Sequence, residues 1–80
     1  MNCKSFPLAM ASEGETVKVI GVTAGKFLVK RLIAMGIIEQ TELQILQREQ
    51  GNGLVVIRGE TRLALGFGMA NKIMVMPNGN

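Results

Sequence analysis

Hydrophobic and polar positions alternate in several short stretches of this 80-residue chain. In the first stretch Val17 and Val19 are separated by Lys18, which is the period of two that marks a half-buried strand. Similar short apolar or β-branched runs follow, and the five predicted strands are residues 16–19, 43–45, 54–58, 61–65 and 73–76. The phase of the first run shifts by one residue across Gly21, so we expect a β-bulge there.

One segment has the period of a helix instead. Residues 25–35 read as an amphipathic helix of about three turns. Leu28, Leu32 and Met35 share its apolar face, and we expect Leu32 to be buried against the sheet. Gly36 follows at the position where a helix commonly ends in a left-handed residue, which glycine adopts without Cβ strain. We therefore predict a positive φ at Gly36.

Together these elements predict a mainly β fold, namely a small five-stranded barrel with one α-helix between the first two strands and a short helical turn before the last. Five short strands cannot bury both faces of an open sheet in so short a chain, whereas a closed barrel removes most edges and forms one core. We expect a single domain over residues 1–80 with its core in about residues 7–76. The side chains predicted to point inward are Val17, Val19, Leu43, Ile45, Val56 and Leu63.

The composition argues against catalysis and against a dedicated metal site. The chain has no His and no Asp, which removes the commonest general base. Its six Glu fall at predicted turns and polar faces, where solvated surface is the simpler interpretation. The soft ligand atoms belong to Cys3 and six Met, with no imidazole beside them. We therefore predict that the protein is not an enzyme and holds neither a metal nor a cofactor.

The same residues bear on the compartment. A lone Cys3 cannot form an internal disulfide, so no oxidising compartment is implied. No segment reaches the roughly 18 apolar residues that span a bilayer. Residues 1–12 are too short, and too interrupted by Lys4 and Pro7, to resemble a signal peptide. We expect a soluble cytoplasmic protein.

The basic residues form one local patch, on the predicted helix. Phe27 falls on the outer face with Lys30 and Arg31, and Lys26 is close by. An exposed ring beside cations offers both apolar area and charge steering, which is a frequent make-up of protein contact sites. Phe67, between two glycines, is either a second contact or a ring covered by a neighbouring loop. The predicted partner-binding residues are Phe27, Lys30, Arg31 and Phe67.

Several short motifs stand in an order and spacing that match a known family. They are Gly14 within Glu-Gly-Glu-Thr, the run Arg31 to Ile37, Thr41-Glu42-Leu43, Arg58-Gly59 with Thr61 to Leu65, Gly68-Met69-Ala70, and Lys72 to Val75. Over nearly the whole chain this pattern resembles the FeoA family, ferrous iron transport protein A. The resemblance implies an SH3-like barrel and an accessory role in bacterial Fe²⁺ uptake. It also implies a partner, the cytosolic part of a FeoB-type transporter.

We therefore expect a small cytoplasmic protein that binds and regulates a ferrous iron transporter by protein–protein contact. Two alternatives stay open: a small-barrel module that binds nucleic acid, and a metal-responsive regulatory domain. Three Phe without Trp or Tyr count against the first alternative, because single-strand binding relies on stacked rings beside positive charge. The same shortage counts against a groove for proline-rich peptides.

Overall fold

The computed structural model describes residues 4–78, which form a six-stranded antiparallel sheet with one long helix. The elements are β1 (Phe6–Pro7), a 3₁₀ helix (Leu8–Met10), β2 (Thr16–Val22), α1 (Lys26–Ala34), β3 (Glu42–Glu49), β4 (Gly53–Arg58), β5 (Thr61–Gly66), α2 (Phe67–Ala70) and β6 (Ile73–Pro77). The strand order in the sheet is β1-β6-β2-β3-β4-β5. The predicted mainly β class is confirmed, with α1 and α2 at the predicted places. No helix in the described part of the chain is long and apolar enough to cross a membrane.

Two details differ from a closed five-stranded barrel. The N-terminal segment adds a sixth strand, because Phe6 and Pro7 pair with β6. In the described residues the edge strands β1 and β5 are not hydrogen-bonded to each other. α2 and the 3₁₀ helix lie between these two edges of the sheet. α2 contacts β4, β5 and the 3₁₀ helix, and the 3₁₀ helix contacts β6. Side-chain packing therefore covers the gap that a continuous ladder would have closed.

The core forms where the period-two pattern placed it. Val17, Val19, Leu43, Ile45 and Val56 are buried, and Leu63 is partly buried against them. The other buried apolar side chains include those of Leu8, Leu54, Leu65, Ile73 and Val75. Leu32 of α1 is completely buried, as predicted, and joins the helix to this core. Each such side chain contributes about 1.5–3 kcal/mol by leaving water.

β2 contains the bulge predicted near Gly21. Val19 pairs with Val75 and Gly21 pairs with Met74, so the register shifts by one residue between these pairs. A second shift occurs where β3 pairs with β4. Bulges bend a strand and increase its twist, which lets a small sheet curl around one core.

Gly36 follows the C-cap residue of α1 and has the predicted left-handed conformation, with φ +80°. The Gly36 N–H donates to the Ile33 carbonyl at 2.9 Å, and the Ile37 N–H donates to the Leu32 carbonyl at 2.8 Å. This pair of bonds is the Schellman motif, in which glycine lets the chain reverse and satisfies the last helical carbonyls. The reversal turns Ile37 into the core.

We expect Gly36→Ala to lower the free energy of unfolding by about 1–2 kcal/mol. An alanine is strained at this φ, and its Cβ would lie 2.6 Å from Cζ of Arg58, so the guanidinium must also move. Urea denaturation monitored by circular dichroism measures the change. Gly68→Ala is the control, because it adds a Cβ with no atom within 4 Å. Equal urea midpoints for wild type and Gly36→Ala would contradict the prediction.

Candidate functional site

The outer face of α1 is both apolar and cationic. Phe27 is 90% exposed, and Lys30 and Arg31 are exposed on the same face. These residues are three and four positions apart and therefore neighbours on the helix surface. We call Phe27, Lys30 and Arg31 the Phe27 stripe. The structure thus brings together three of the four residues predicted from the sequence.

The cations of α1 have no acidic partner on the helix. Its nine residues include Lys26, Lys30 and Arg31 but no Asp or Glu. Within residues 4–78 none of the three takes part in a salt bridge. The stripe therefore carries uncompensated positive charge around an exposed ring, and this charge is available to an acidic partner.

An apolar groove of about 610 Å³ runs along α1 beside the Phe27 stripe. Its lining consists of Gly21, Val22, Val29, Leu32, Ile33, Ile37, Ile38, Glu39 and Gln40. Leu32 and Ile37 are buried, whereas Ile33 and Ile38 are 55% and 54% exposed. The groove therefore presents apolar side chains to solvent between the helix and the loop that follows it.

The loop wall of the groove is held in shape by hydrogen bonds. The Thr41 hydroxyl accepts the Ile38 N–H at 3.0 Å and donates to the Gly36 carbonyl at 3.4 Å. Gln40 has φ +78°, an uncommon conformation for a residue other than glycine. Its N–H donates to the Val19 carbonyl of β2 at 2.8 Å. The loop is thus tied to the sheet, and these bonds hold the loop wall of the groove.

Sequence patterns did not single out this groove, although a signal was present. Ile33 directly follows Leu32, and Ile38 directly follows Ile37. Neighbouring side chains on a helix or an extended segment point in different directions, so both members of such a pair cannot enter one core. The second member of each pair is the one left at the surface.

Phe67 is placed differently from the Phe27 stripe. It begins α2, and its ring is partly buried against the core. The guanidinium carbon of Arg48 lies 5.5 Å from the ring centroid, within cation–π range. The same guanidinium donates to the carbonyls of Ala9 and Ala11, each at 2.7 Å. These contacts fasten the N-terminal segment, and a partner-binding role for Phe67 stays a prediction.

Within residues 4–78 no three His, Cys, Asp or Glu side chains are grouped so that they could hold a metal ion. Cys3 lies outside the described residues. The described residues form two exposed surface features beside each other, namely the Phe27 stripe and the groove.

Fold and surface together define a small SH3-like domain that presents an exposed, cationic and partly apolar helix. The family comparison is more specific, because residues 6–77 match the model of the FeoA domain. The chain therefore belongs to the FeoA domain family, which confirms the resemblance inferred from its motifs.

One relative agrees with this assignment, and two solved structures share the fold. A protein of Methanocaldococcus jannaschii named "Putative Fe(2+) transport protein A" is 39% identical over 70 residues, which cover 88% of this chain and 84% of that protein. The FeoA-like protein from Clostridium acetobutylicum has a TM-score of 0.86 at 24% identity, covering 99% of this chain and 93% of that one. A manganese-dependent transcriptional repressor complex with manganese has a TM-score of 0.88 at 19% identity. That likeness covers 98% of this chain but 39% of the repressor, so the same fold also occurs within a longer protein.

Proposed function

We propose that this protein is an accessory protein of ferrous iron uptake, which docks on the cytosolic part of a FeoB-type transporter and regulates it. Membership of the FeoA domain family and the name of the archaeal relative associate the chain with Fe²⁺ transport. The observation that carries the docking step is the Phe27 ring, 90% exposed between cations that have no acidic partner on α1.

The physical case for docking rests on the free energy gained when the exposed Phe27 ring is buried against a partner. An exposed phenylalanine contributes nothing to the core, but its burial against a partner can add about 1.5–3 kcal/mol to binding. Lys30 and Arg31 beside it attract an acidic surface and orient the approach. Docking through this stripe would then alter the assembly of the transporter or its handling of nucleotide.

The double substitution Phe27→Ala with Lys30→Glu tests this proposal. It removes the ring and reverses one charge, so we expect the affinity for the cytosolic domain of the transporter to fall by about 100-fold or more. Both side chains are exposed, so the thermal midpoint should stay close to that of wild type. Calorimetric titration of the cytosolic domain, with and without guanine nucleotide, measures the affinity.

The matched control is Met10→Ala with Lys4→Glu. Met10 is 69% exposed and Lys4 is exposed, so this pair removes apolar surface and reverses a charge away from α1. It should leave the affinity unchanged. If the α1 variant keeps its fold and still binds as wild type does, the contact surface is not the Phe27 stripe. Equal losses in both variants would show an unspecific effect of charge.

The two alternatives from the sequence make different predictions. A metal-responsive domain should show saturable amide shifts when Fe²⁺ or Zn²⁺ is titrated, and the manganese-dependent repressor shares only its fold with this chain. A nucleic-acid module should bind with an affinity that falls steeply as salt rises, because phosphate contacts release counterions. Either result, together with no binding to the transporter domain, would replace the proposal above.

A further inference from the structure

The groove beside α1 has two unlike walls. On the helix side Lys26 and Lys30 border Val29 and Ile33, at spacings of three or four residues that make them surface neighbours. On the loop side the wall includes Glu39 and Gln40, and the floor between the walls is apolar. Ile33 and Ile38 stand exposed at the rims. The floor of the groove is therefore apolar, and positive charge lies beside its helix wall only.

We propose that this groove binds one amphipathic helix of a partner protein, with the apolar row of that helix in the groove and an acidic flank facing α1. An apolar helix face laid in a groove is a recurring mode of recognition, read through anchors at positions i, i+3 or i+4, and i+7. The proposal specifies the chemistry of the partner and in that respect rests on the proposed function.

Charge complementarity selects an acidic helix as the occupant. α1 has no carboxylate, and its two cations on the side of the groove, Lys26 and Lys30, have no ion-pair partner within residues 4–78. A second copy of this chain fits poorly, because α1 is the only helix longer than four residues that the structure describes. Two such helices would bring like charges together, which disfavours a pairing.

The shape of the groove favours a helix over a small molecule. Its volume of about 610 Å³ lies within the range of ligand pockets, but such pockets bury about 70–90% of their ligand. This groove is open between α1 and the loop, so a small ligand would stay largely in water. A helix laid along it would cover Ile33 and Ile38 together.

A selection from a displayed library of helical peptides, with the 80-residue chain as bait, tests the proposal without the transporter. We expect enriched peptides to carry apolar residues at i, i+3 or i+4, and i+7, with Asp or Glu along one flank. Binding of a synthetic copy of such a peptide should weaken about tenfold or more on Ile38→Glu or Ile33→Glu. Both positions are more than half exposed, and thermal midpoints check that the variants fold.

The charge requirement has its own matched pair of variants. Lys26→Glu should weaken binding of the acidic peptide about threefold to tenfold, and the loss should shrink as NaCl rises. Lys4→Glu makes the same charge change at an exposed residue outside α1, which is not a helix-surface neighbour of Val29 or Ile33, and should leave binding unchanged. Lys26 lies outside the Phe27 stripe, so this result is separate from the test of transporter docking.

Several results would overturn the proposal. They are a selection without enrichment, enriched peptides without acidic bias, and binding that survives Ile38→Glu. Co-sedimentation with phosphatidylglycerol vesicles covers the lipid alternative: vesicle binding that needs Ile33 and Ile38, in the absence of peptide enrichment, would assign the groove to a membrane surface. If acidic peptides bind the groove but the transporter domain does not bind the protein, the groove is a helix-binding site and the transporter is not its partner.

Discussion

Gly53→Ala is expected to destabilise this domain by about 3 kcal/mol or more, which is a large part of the roughly 4–12 kcal/mol available to a chain of this length. Gly53 is buried at the start of β4 and pairs with Gly66 of β5. A Cβ at this position would run into the carbonyl oxygen of Leu65 and lie 2.8 Å from Cα of Gly66. These are backbone atoms, so no rotamer change relieves the clash and the two strands must separate.

Urea denaturation and the amide spectrum of the variant measure this effect. Gly66→Ala is a close control, since it places a Cβ on the paired residue, where the nearest atom is the Asn52 carbonyl oxygen at an ordinary 3.8 Å. We expect that control to change stability by less than about 1 kcal/mol. A Gly53→Ala protein with the wild-type midpoint would show that β4 and β5 do not approach as closely as described.

Leu32→Ala should lower the free energy of unfolding by about 2–4 kcal/mol. Leu32 is the one fully buried side chain within α1, and it joins the helix to the core of the sheet. Its truncation removes apolar burial and leaves a cavity that the tied loop after α1 cannot readily fill. The loss should appear in urea denaturation, with a similar slope against urea concentration.

Ile33→Ala is the matched control for the same helix. Ile33 is the next residue and is 55% exposed, so the same kind of truncation removes less buried area. We expect a loss below about 1 kcal/mol, partly offset by the higher helix propensity of alanine. If the two variants lost equal stability, the orientation assigned to α1 would be wrong.

The local features of the fold could be predicted because they follow from short-range rules. Val17 and Val19 alternate with polar residues, and a strand places alternate side chains on the same face. The positive φ at Gly36 follows from helix termination, and the bulge at Gly21 follows from a phase shift in the pattern. Each signal is contained within a few neighbouring residues, so no knowledge of distant contacts was needed.

The helix face of the candidate site was predictable for the same reason. A 3.6-residue period that commits Leu28 and Leu32 to the core leaves Phe27, Lys30 and Arg31 on the outside. The groove was not predictable in this way. It depends on how the loop through Ile38 folds back over β2, which the hydrogen bonds of Thr41 and Gln40 determine.

Only the tertiary structure decided the features that depend on residues far apart in the chain. β1 forms because Phe6 and Pro7 pair with β6, almost 70 residues later in the chain. A strand of two residues is too short to show a hydrophobic period in the sequence. Phe67 is partly buried, and the guanidinium of Arg48 lies over its ring while it holds the N-terminal segment. Sequence by itself determined which residues prefer burial and where the chain turns, since those preferences are local. Which surfaces meet, and that Ile33 and Ile38 face the same groove, was decided by long-range packing, because such contacts form only when distant segments come together.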